Sequence, residues 1–241
     1  EGDFVVVEKA GEVIPKIKEP ILEKRTGKET SFLMPKQCPS CLTDLVKIEN
    51  EVAIKCENAL CKGRIREKLK HFVSRNAMNI EAFGEKLSAQ LIDLGEIKEV
   101  TDIYLLQQRK LETMDRMGPV LAKKIIQNIK SSKEKPVVRL LYGLGISHVG
   151  IDTARILATA FGGLLQMAKA TKTEMLEIKN IGEKTAESVE LFFSQKDNIE
   201  KIKTLSRLGL QITSGLANKT QGFFASKKIC VTGTFESFSR S

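Results

Sequence analysis

The chain repeats itself four times. Aligned on Gly84, Gly118, Gly150 and Gly182, which stand 34, 32 and 32 residues apart, four segments share one pattern. Four residues before each glycine lies an apolar residue (Ile80, Met114, Ile146, Ile178), and the residue immediately before it is apolar too (Phe83, Met117, Val149, Ile181). Four residues after it comes a small residue (Ser88, Ala122, Ala154, Ala186), and seven after it an aliphatic one (Leu91, Ile125, Leu157, Val189). Offsets of four and seven fall on one face of an α-helix. Each segment therefore predicts a helix ending at the first apolar residue, a short hairpin, and a second helix opened by glycine. The small residue lets the two helices pack closely, and the aliphatic one fills the core. Self-similarity at this period marks a tandem architecture.

Glycine at the start of the second helix supplies a conformation that other residues disfavour and lets a ligand approach the backbone closely. The unpaired N–H groups of the helix's first turn then point outward with the positive end of its dipole, an anion site suited to a nucleic-acid phosphate. The competing reading is a repeat that only builds a scaffold, with glycine as a simple turn residue. A scaffold does not call for that glycine together with a small residue one turn later. Contacts of this kind position a protein on a backbone without reading sequence. The charge balance agrees in sign: 39 Lys and Arg against 30 Asp and Glu give a net charge of +9, a surplus that suits a polyanion and equally a merely basic soluble protein. Lys86 and Lys184 stand two residues after their glycines and could add charge there, or simply be solvated. His148 lies in the third hairpin, where a backbone contact and a plain turn role both stand. His71, beside Phe72 in a helical stretch, reads as a surface or packing residue. The sequence shows no Ser-His-Asp or Cys-His constellation, and no catalytic residue is assigned.

Four of the five cysteines are grouped. Cys38 and Cys41 are separated by two residues, Cys56 and Cys61 by four, and fourteen residues lie between the pairs. Two short-spaced pairs on tight turns can bring four thiolates into a tetrahedron around Zn²⁺. Four thiolates close the shell, so the site is structural, with no open position for a substrate. Unrelated cytosolic thiols and an iron–sulfur cluster are the alternatives; the two hairpin-like pairs favour zinc. Metal binding would supply much of the stability of so small a module. The fifth, Cys230, stands alone, and the odd count suits a reducing compartment.

Trp is absent and aromatics are few, so the core must be Leu, Ile, Val and Ala, which leans helical. Residues 4–7 (FVVV) suggest a short buried strand, followed by a turn at Ala10-Gly11-Glu12. Residues 23–35 read as a linker, and helical periodicity runs from about Ile65 to about Leu208. A polar stretch at 213–226 precedes a further strand at 227–235. The chain opens at Glu1 in what looks like mid-domain β-structure, so an upstream portion is expected. No apolar run approaches the roughly 18 residues of a membrane span.

These residues resemble a known family. The pattern apolar-x-x-apolar-Gly-x-x-x-small is similar to the helix-hairpin-helix motif of DNA repair and replication proteins. Four copies behind a four-cysteine module resemble bacterial NAD⁺-dependent DNA ligase. HFVSRNAMNI (71–80) resembles that family's segment joining zinc module to first repeat, and LLYGLGISHVG (140–150) and IKNIGEKTAESV (178–189) resemble its third and fourth repeats. GDFVVVEKAGEVIPK (2–16) resembles the end of its oligonucleotide-binding barrel, and KKICVTGTF (227–235) the first strand of its BRCT domain. There are departures. The barrel motif R-A-G-D-V-I-P reads here Lys9-Ala10-Gly11-Glu12-Val13-Ile14-Pro15, and lysine cannot make the bidentate phosphate contact that arginine can. Many such hairpins carry a second glycine two residues before the first; here those positions hold Ala82, Arg116, His148 and Asn180. The family's adenylated lysine lies in K-x-D-G, which does not occur in this sequence.

The resemblance implies a mainly α, multi-domain fold: four tandem helix-hairpin-helix units preceded by a small zinc module and a β-barrel (OB-fold) remnant. The expected divisions are 1–24 (barrel end), 25–35 (linker), 36–65 (zinc module), 66–210 (helix-hairpin-helix domain), 211–226 (linker) and 227–241 (BRCT start). The implied metal ligands are Cys38, Cys41, Cys56 and Cys61. The implied DNA contacts are Gly84, Gly118, Gly150, Gly182, Lys86, Lys184, Lys9, Val13 and Ile14. The partner would be nicked duplex DNA, gripped by a cytoplasmic, nucleoid-associated monomer without membrane contact. NAD⁺ and Mg²⁺ would act in the intact enzyme, outside this segment, which alone would be inactive. A non-enzymatic repair or junction-binding adaptor built from the same repeats and an RNA-linked zinc-ribbon protein are the competing functions.

Overall fold

The computed structural model describes residues 1–11, 14–47 and 53–214. Val13, Cys230, the strand expected at 227–235 and most of the polar linker before it lie outside the described residues. The chain forms two compact units, one ending at Asn58 and one beginning at Ala59. The fold is mainly helical and multi-part, as expected.

In the first unit, β1 (Val5–Ala10) pairs antiparallel with β2 (Ile14–Pro20), Val7 facing Ile17 and Lys9 facing Pro15. The FVVV segment is a strand, but it is not buried: Phe4 is 59% and Val7 55% exposed. A two-stranded ribbon has too little surface of its own to cover either face. The segment after it has more local order than the linker expected there. Arg25 donates from Nε and its Nη2 to the two carboxylate oxygens of Asp3, at 2.5 and 3.0 Å, and Glu29 accepts from the backbone N–H groups of Thr26 and Gly27. Further on, β3 (Leu45–Lys47) pairs antiparallel with β4 (Ile54–Cys56).

The second unit opens with α1 (Lys62–Val73), which starts directly behind Cys61, three residues earlier than the periodicity suggests. It continues with α2 (Glu85–Asp93), a 3-10 segment at Val100–Leu105, α3 (Gln108–Glu112), α4 (Pro119–Ser132), α5 (Val137–Gly143) and α6 (Ile151–Phe161). The short α7 (Leu164–Met167) and α8 (Lys172–Leu176) lead to α9 (Glu183–Ser194) and α10 (Lys196–Arg207). The pairs α1/α2, α3/α4, α5/α6 and α8/α9 each flank one repeat glycine. The first helix of each pair stops sooner than expected, before Ile80, Met114, Ile146 or Ile178. Those four residues belong to the connecting turn. The carbonyls of Met114, Ile146 and Ile178 accept from the N–H of Met117, Val149 and Ile181, closing a tight loop just ahead of the glycine.

The repeat positions assigned to the core are in it. Ala122, Ala154, Ala186, Leu91, Ile125, Leu157 and Val189 are all at 0% exposure, and Ser88 is buried with its hydroxyl donating to the Gly84 carbonyl at 2.9 Å. Between repeats the close approach is at Gly143, where a Cβ would come within 3.3 Å of the Phe72 ring. Arg139 Nη1 donates to the carbonyls of Arg75 and Ala77, fixing the turn after α1 against α5. A Cβ on Gly163 would come within 3.1 Å of the Ile212 carbonyl oxygen, so glycine there lets residues 212–214 lie back against the start of α7.

One polar pair is buried in this core. Ser132 donates to the Ile129 carbonyl at 2.7 Å, so the Tyr104 hydroxyl donates to Ser132 Oγ at 3.1 Å. Burial pushes the Tyr104 phenol up to about 12. The folded state therefore holds this proton more tightly than the unfolded chain, and the stabilisation is fully present below about pH 10 and lost as pH rises towards 12. Its upper bound is about 2.7 kcal/mol. Denaturant melts of Tyr104→Phe and the parent chain should differ by an amount that shrinks or reverses between about pH 9 and pH 11.5; a constant difference would contradict this.

Candidate metal centre and nucleic-acid interface

The sulfur atoms of Cys38, Cys41, Cys56 and Cys61 all lie within 4.8 Å of one another, Cys41 and Cys56 at 3.6 Å. Zinc–sulfur bonds of about 2.3 Å place tetrahedral ligands about 3.8 Å apart, so the cluster is already close to the size a zinc ion requires. Local hydrogen bonds explain the arrangement. Leu42 N–H donates to the Cys38 carbonyl and Cys38 N–H to the Thr43 carbonyl, both at 2.8 Å, with Leu42 at φ 59° closing the turn. Cys56 ends β4. Cys61 is the N-cap of α1, its carbonyl accepting from Ile65 at 3.0 Å, so its sulfur stands near the positive end of a helix, which favours a thiolate.

Two neighbours are invisible in the sequence. Thr43 Oγ1 lies 3.3 Å from the Cys41 sulfur and accepts from Asn58 Nδ2, also at 3.3 Å. With that lone pair engaged, the Thr43 hydroxyl proton is available to a Cys41 thiolate, the kind of outer contact that orients a metal ligand. Nothing in a Cys-x-x-Cys spacing points to them.

The expectation for the repeat glycines needs correction. Gly84, Gly118, Gly150 and Gly182 have φ between −77° and −94° and ψ between 164° and 176°. This is extended backbone open to any residue, so conformation is not the reason for glycine. The left-handed positions are two residues earlier: Ala82, Arg116, His148 and Asn180, with φ from 57° to 71°. The hairpin takes its shape without glycine there, at about 1 kcal/mol for an ordinary side chain and less for asparagine. A Cβ built on any of the four glycines would have nothing within 4 Å. The protein's own packing thus leaves these positions open. What remains to account for glycine is close approach from outside.

Each glycine is the N-cap of its helix, and none is capped by a side chain. The first turns are not uniformly positive. Glu85 is paired with Lys70, Glu183 with Lys172 at 3.2 Å, and Asp152 with Arg155 at 2.7 Å; only α4 opens on proline, at Pro119. The hydrogen bond and charge of Lys70 hold the Glu85 carboxyl below its ordinary value. Lys86 and Lys184 are exposed on the same first turns. In the first unit, Lys9 lies on β1 and Ile14 is 72% exposed at the start of β2. His148 is exposed at its hairpin's left-handed position. His71 is a packing residue: Nε2 lies 2.8 Å from the Tyr142 carbonyl, which can only accept, so Nε2 carries the proton. No helix among the described residues is long and apolar enough to cross a membrane.

The described residues thus combine a four-thiol cluster of the size a zinc finger has with tandem helical hairpins. Residues 37–62 match the NAD-dependent DNA ligase C4 zinc finger domain, and residues 139–202 match the helix-hairpin-helix motif. The chain is similar over its whole length to the DNA ligases of Anoxybacillus flavithermus (42% identity over 243 residues, covering 100% of this chain and 36% of that protein) and Bacillus cereus (42% over 246 residues, 100% and 37%). The DNA ligase of Bacillus thuringiensis is similar to the same degree. The chain is thus similar to DNA ligases over its whole length, and to the NAD-dependent kind at residues 37–62, and it spans a little over a third of the length of these relatives.

Metal analysis of the purified chain should find about one zinc per molecule. Removing it with a chelator should lower the melting temperature and unfold residues 36–61, and Cys41→Ser should do the same. Folded, fully stable protein without metal would refute the site.

Proposed function

We propose that this chain is the C-terminal DNA-binding portion of an NAD⁺-dependent DNA ligase, an enzyme that seals nicks between a 5′-phosphate and a 3′-hydroxyl in duplex DNA. The four glycines carry this reading. Each sits at an uncapped helix N-terminus with open space where a Cβ would be, and each has a backbone conformation that any residue could adopt. Four such positions in register are accounted for by a ligand that comes up against the backbone. A phosphate is the ligand that helix N–H groups and their dipole favour.

On this reading Gly84, Gly118, Gly150 and Gly182 meet phosphates, and Lys86 and Lys184 add charge beside two of them. Lys9, Val13 and Ile14 would contact DNA from the barrel ribbon. Cys38, Cys41, Cys56 and Cys61 hold one structural zinc. NAD⁺ and Mg²⁺ act on a portion of the intact enzyme outside this chain, which grips the duplex while that portion does the chemistry. The divisions at 24, 35, 65, 210 and 226 follow from the same assignment, as do a monomer and a cytoplasmic, nucleoid-associated location.

The test uses serine. Serine is a better N-cap than glycine, so Gly84→Ser, Gly118→Ser, Gly150→Ser and Gly182→Ser should keep or raise thermal stability. Each hydroxyl would nevertheless occupy the approach and take up the amides that a phosphate needs. Affinity for nicked duplex should fall about tenfold per site, roughly 1.4 kcal/mol, with little dependence on sequence. Lys86→Ala and Lys184→Ala should each lower the slope of log affinity against log salt by about 1. Unaltered affinity in all four serine variants would defeat the proposal.

A further inference from the structure

The second unit contains a cavity of about 660 Å³ that the DNA-binding reading does not use. Its floor is core: Leu69, Ile146 and Val149, at 1%, 6% and 7% exposure. Its walls are half-buried and apolar, from Ile65 on α1, Val100 on the 3-10 segment, Leu144 behind α5 and Phe192 on α9. The mouth is ringed by Arg64, Lys68, Lys98 and Lys201, against the carboxylates of Glu67 and Glu99.

Two carboxylates against four cations leave this ring net positive. Glu99 is committed: it accepts from Thr101 Oγ1 at 2.8 Å and pairs with Lys201 at 3.2 Å. Among the described residues, neither Lys68 nor Arg64 forms an ion pair with a carboxylate. Lys68 is open to water yet crowded by protein atoms, as a side chain standing in a cavity mouth is. Burial, with the charges of Arg64 and Lys201 alongside, holds its ammonium below the ordinary lysine value, while Glu99 acts weakly the other way. Cations gathered above an apolar floor repel one another, and an anion between them would relieve that repulsion.

Volume, lining and charge together define the occupant. A cavity of several hundred cubic ångströms with an apolar interior and a few convergent polar groups suits a small organic molecule. A DNA duplex is convex and too broad to enter, so it could touch the rim and leave the apolar floor uncovered. The Phe192 side chain offers a wall against which a flat ring can lie. We infer that this cavity is a second ligand site, which takes a small aromatic anion with its ring over Leu69, Val149 and Phe192 and its phosphate or sulfonate between Arg64 and Lys68. The inference is independent of what the hairpins bind.

The dye 8-anilinonaphthalene-1-sulfonate is a probe of this class. Titrated into the zinc-loaded chain, it should bind saturably at one molecule per chain, with a Kd on the order of micromolar. Lys68→Ala should weaken it about tenfold, and Val100→Phe, which narrows the cavity from its wall, should weaken it too. Both variants should melt as the parent does and bind nicked duplex with unchanged affinity. AMP should displace the dye and adenosine should not. Absence of saturable binding would overturn the proposal, as would dye binding indifferent to both variants, or equal displacement by adenosine. Loss of duplex affinity in Lys68→Ala with dye binding unchanged would instead assign the ring to DNA and also overturn it. Retained dye binding in the glycine-to-serine variants separates failure of this site from failure of the hairpins.

Discussion

The distance between the two helices of each hairpin governs the rest of the second unit. That distance is set by the residue four positions after the repeat glycine, which is alanine three times and serine once, always buried. A larger side chain there would separate the helices and strand the aliphatic residue one turn further on without neighbours. With the helices close, the connecting turn has only a few residues to reverse direction. It must then pass through a left-handed residue, and the next helix must begin with its amides facing outward. The uncapped helix start is thus a by-product of tight packing behind it.

The metal cluster is organised by the same economy of backbone. Cys61 is at once a member of the four-thiol cluster and the residue that starts α1, so the first helix of the first hairpin begins where the cluster ends. The Cys38–Cys41 turn places its sulfurs through the backbone hydrogen bonds of Leu42 to Cys38 and of Cys38 to Thr43. This is what a small module with little core of its own requires.

How much of this is legible in the residues depends on whether the signal is periodic. The repeat specifies the four hairpins and their buried positions correctly, because a helix face recurs at fixed offsets and burial follows it. The cysteine spacing specifies the cluster for the same reason: short pairs leave few ways to arrange four thiols. Sequence and structure part where context decides. Phe4-Val5-Val6-Val7 has the composition of a buried strand, yet only a partner sheet could bury it. The apolar residues before each hairpin mark the core, as a helix end would, but they lie in the turn beyond it. Glycine at the helix start suggests an unusual backbone, although that backbone belongs to Ala82, Arg116, His148 and Asn180, of which Ala82 and Arg116 give no warning of it. Thr43, Asn58 and the cavity ringed by Arg64, Lys68 and Lys201 depend on contacts between segments far apart in sequence, and no local pattern encodes them.

Those four left-handed residues carry a last consequence. Two of them, Ala82 and Arg116, are of types that rarely adopt such a φ, so those turns do not hold their shape by preference; the helices on either side impose it. A loop shaped by its surroundings has few alternatives to sample. Its amides are already aligned before anything arrives, and little conformational entropy is lost when a partner docks. Binding free energy at such a turn would go into the contact instead of into ordering the chain, which is what the proposed grip on a phosphate by a few exposed N–H groups requires.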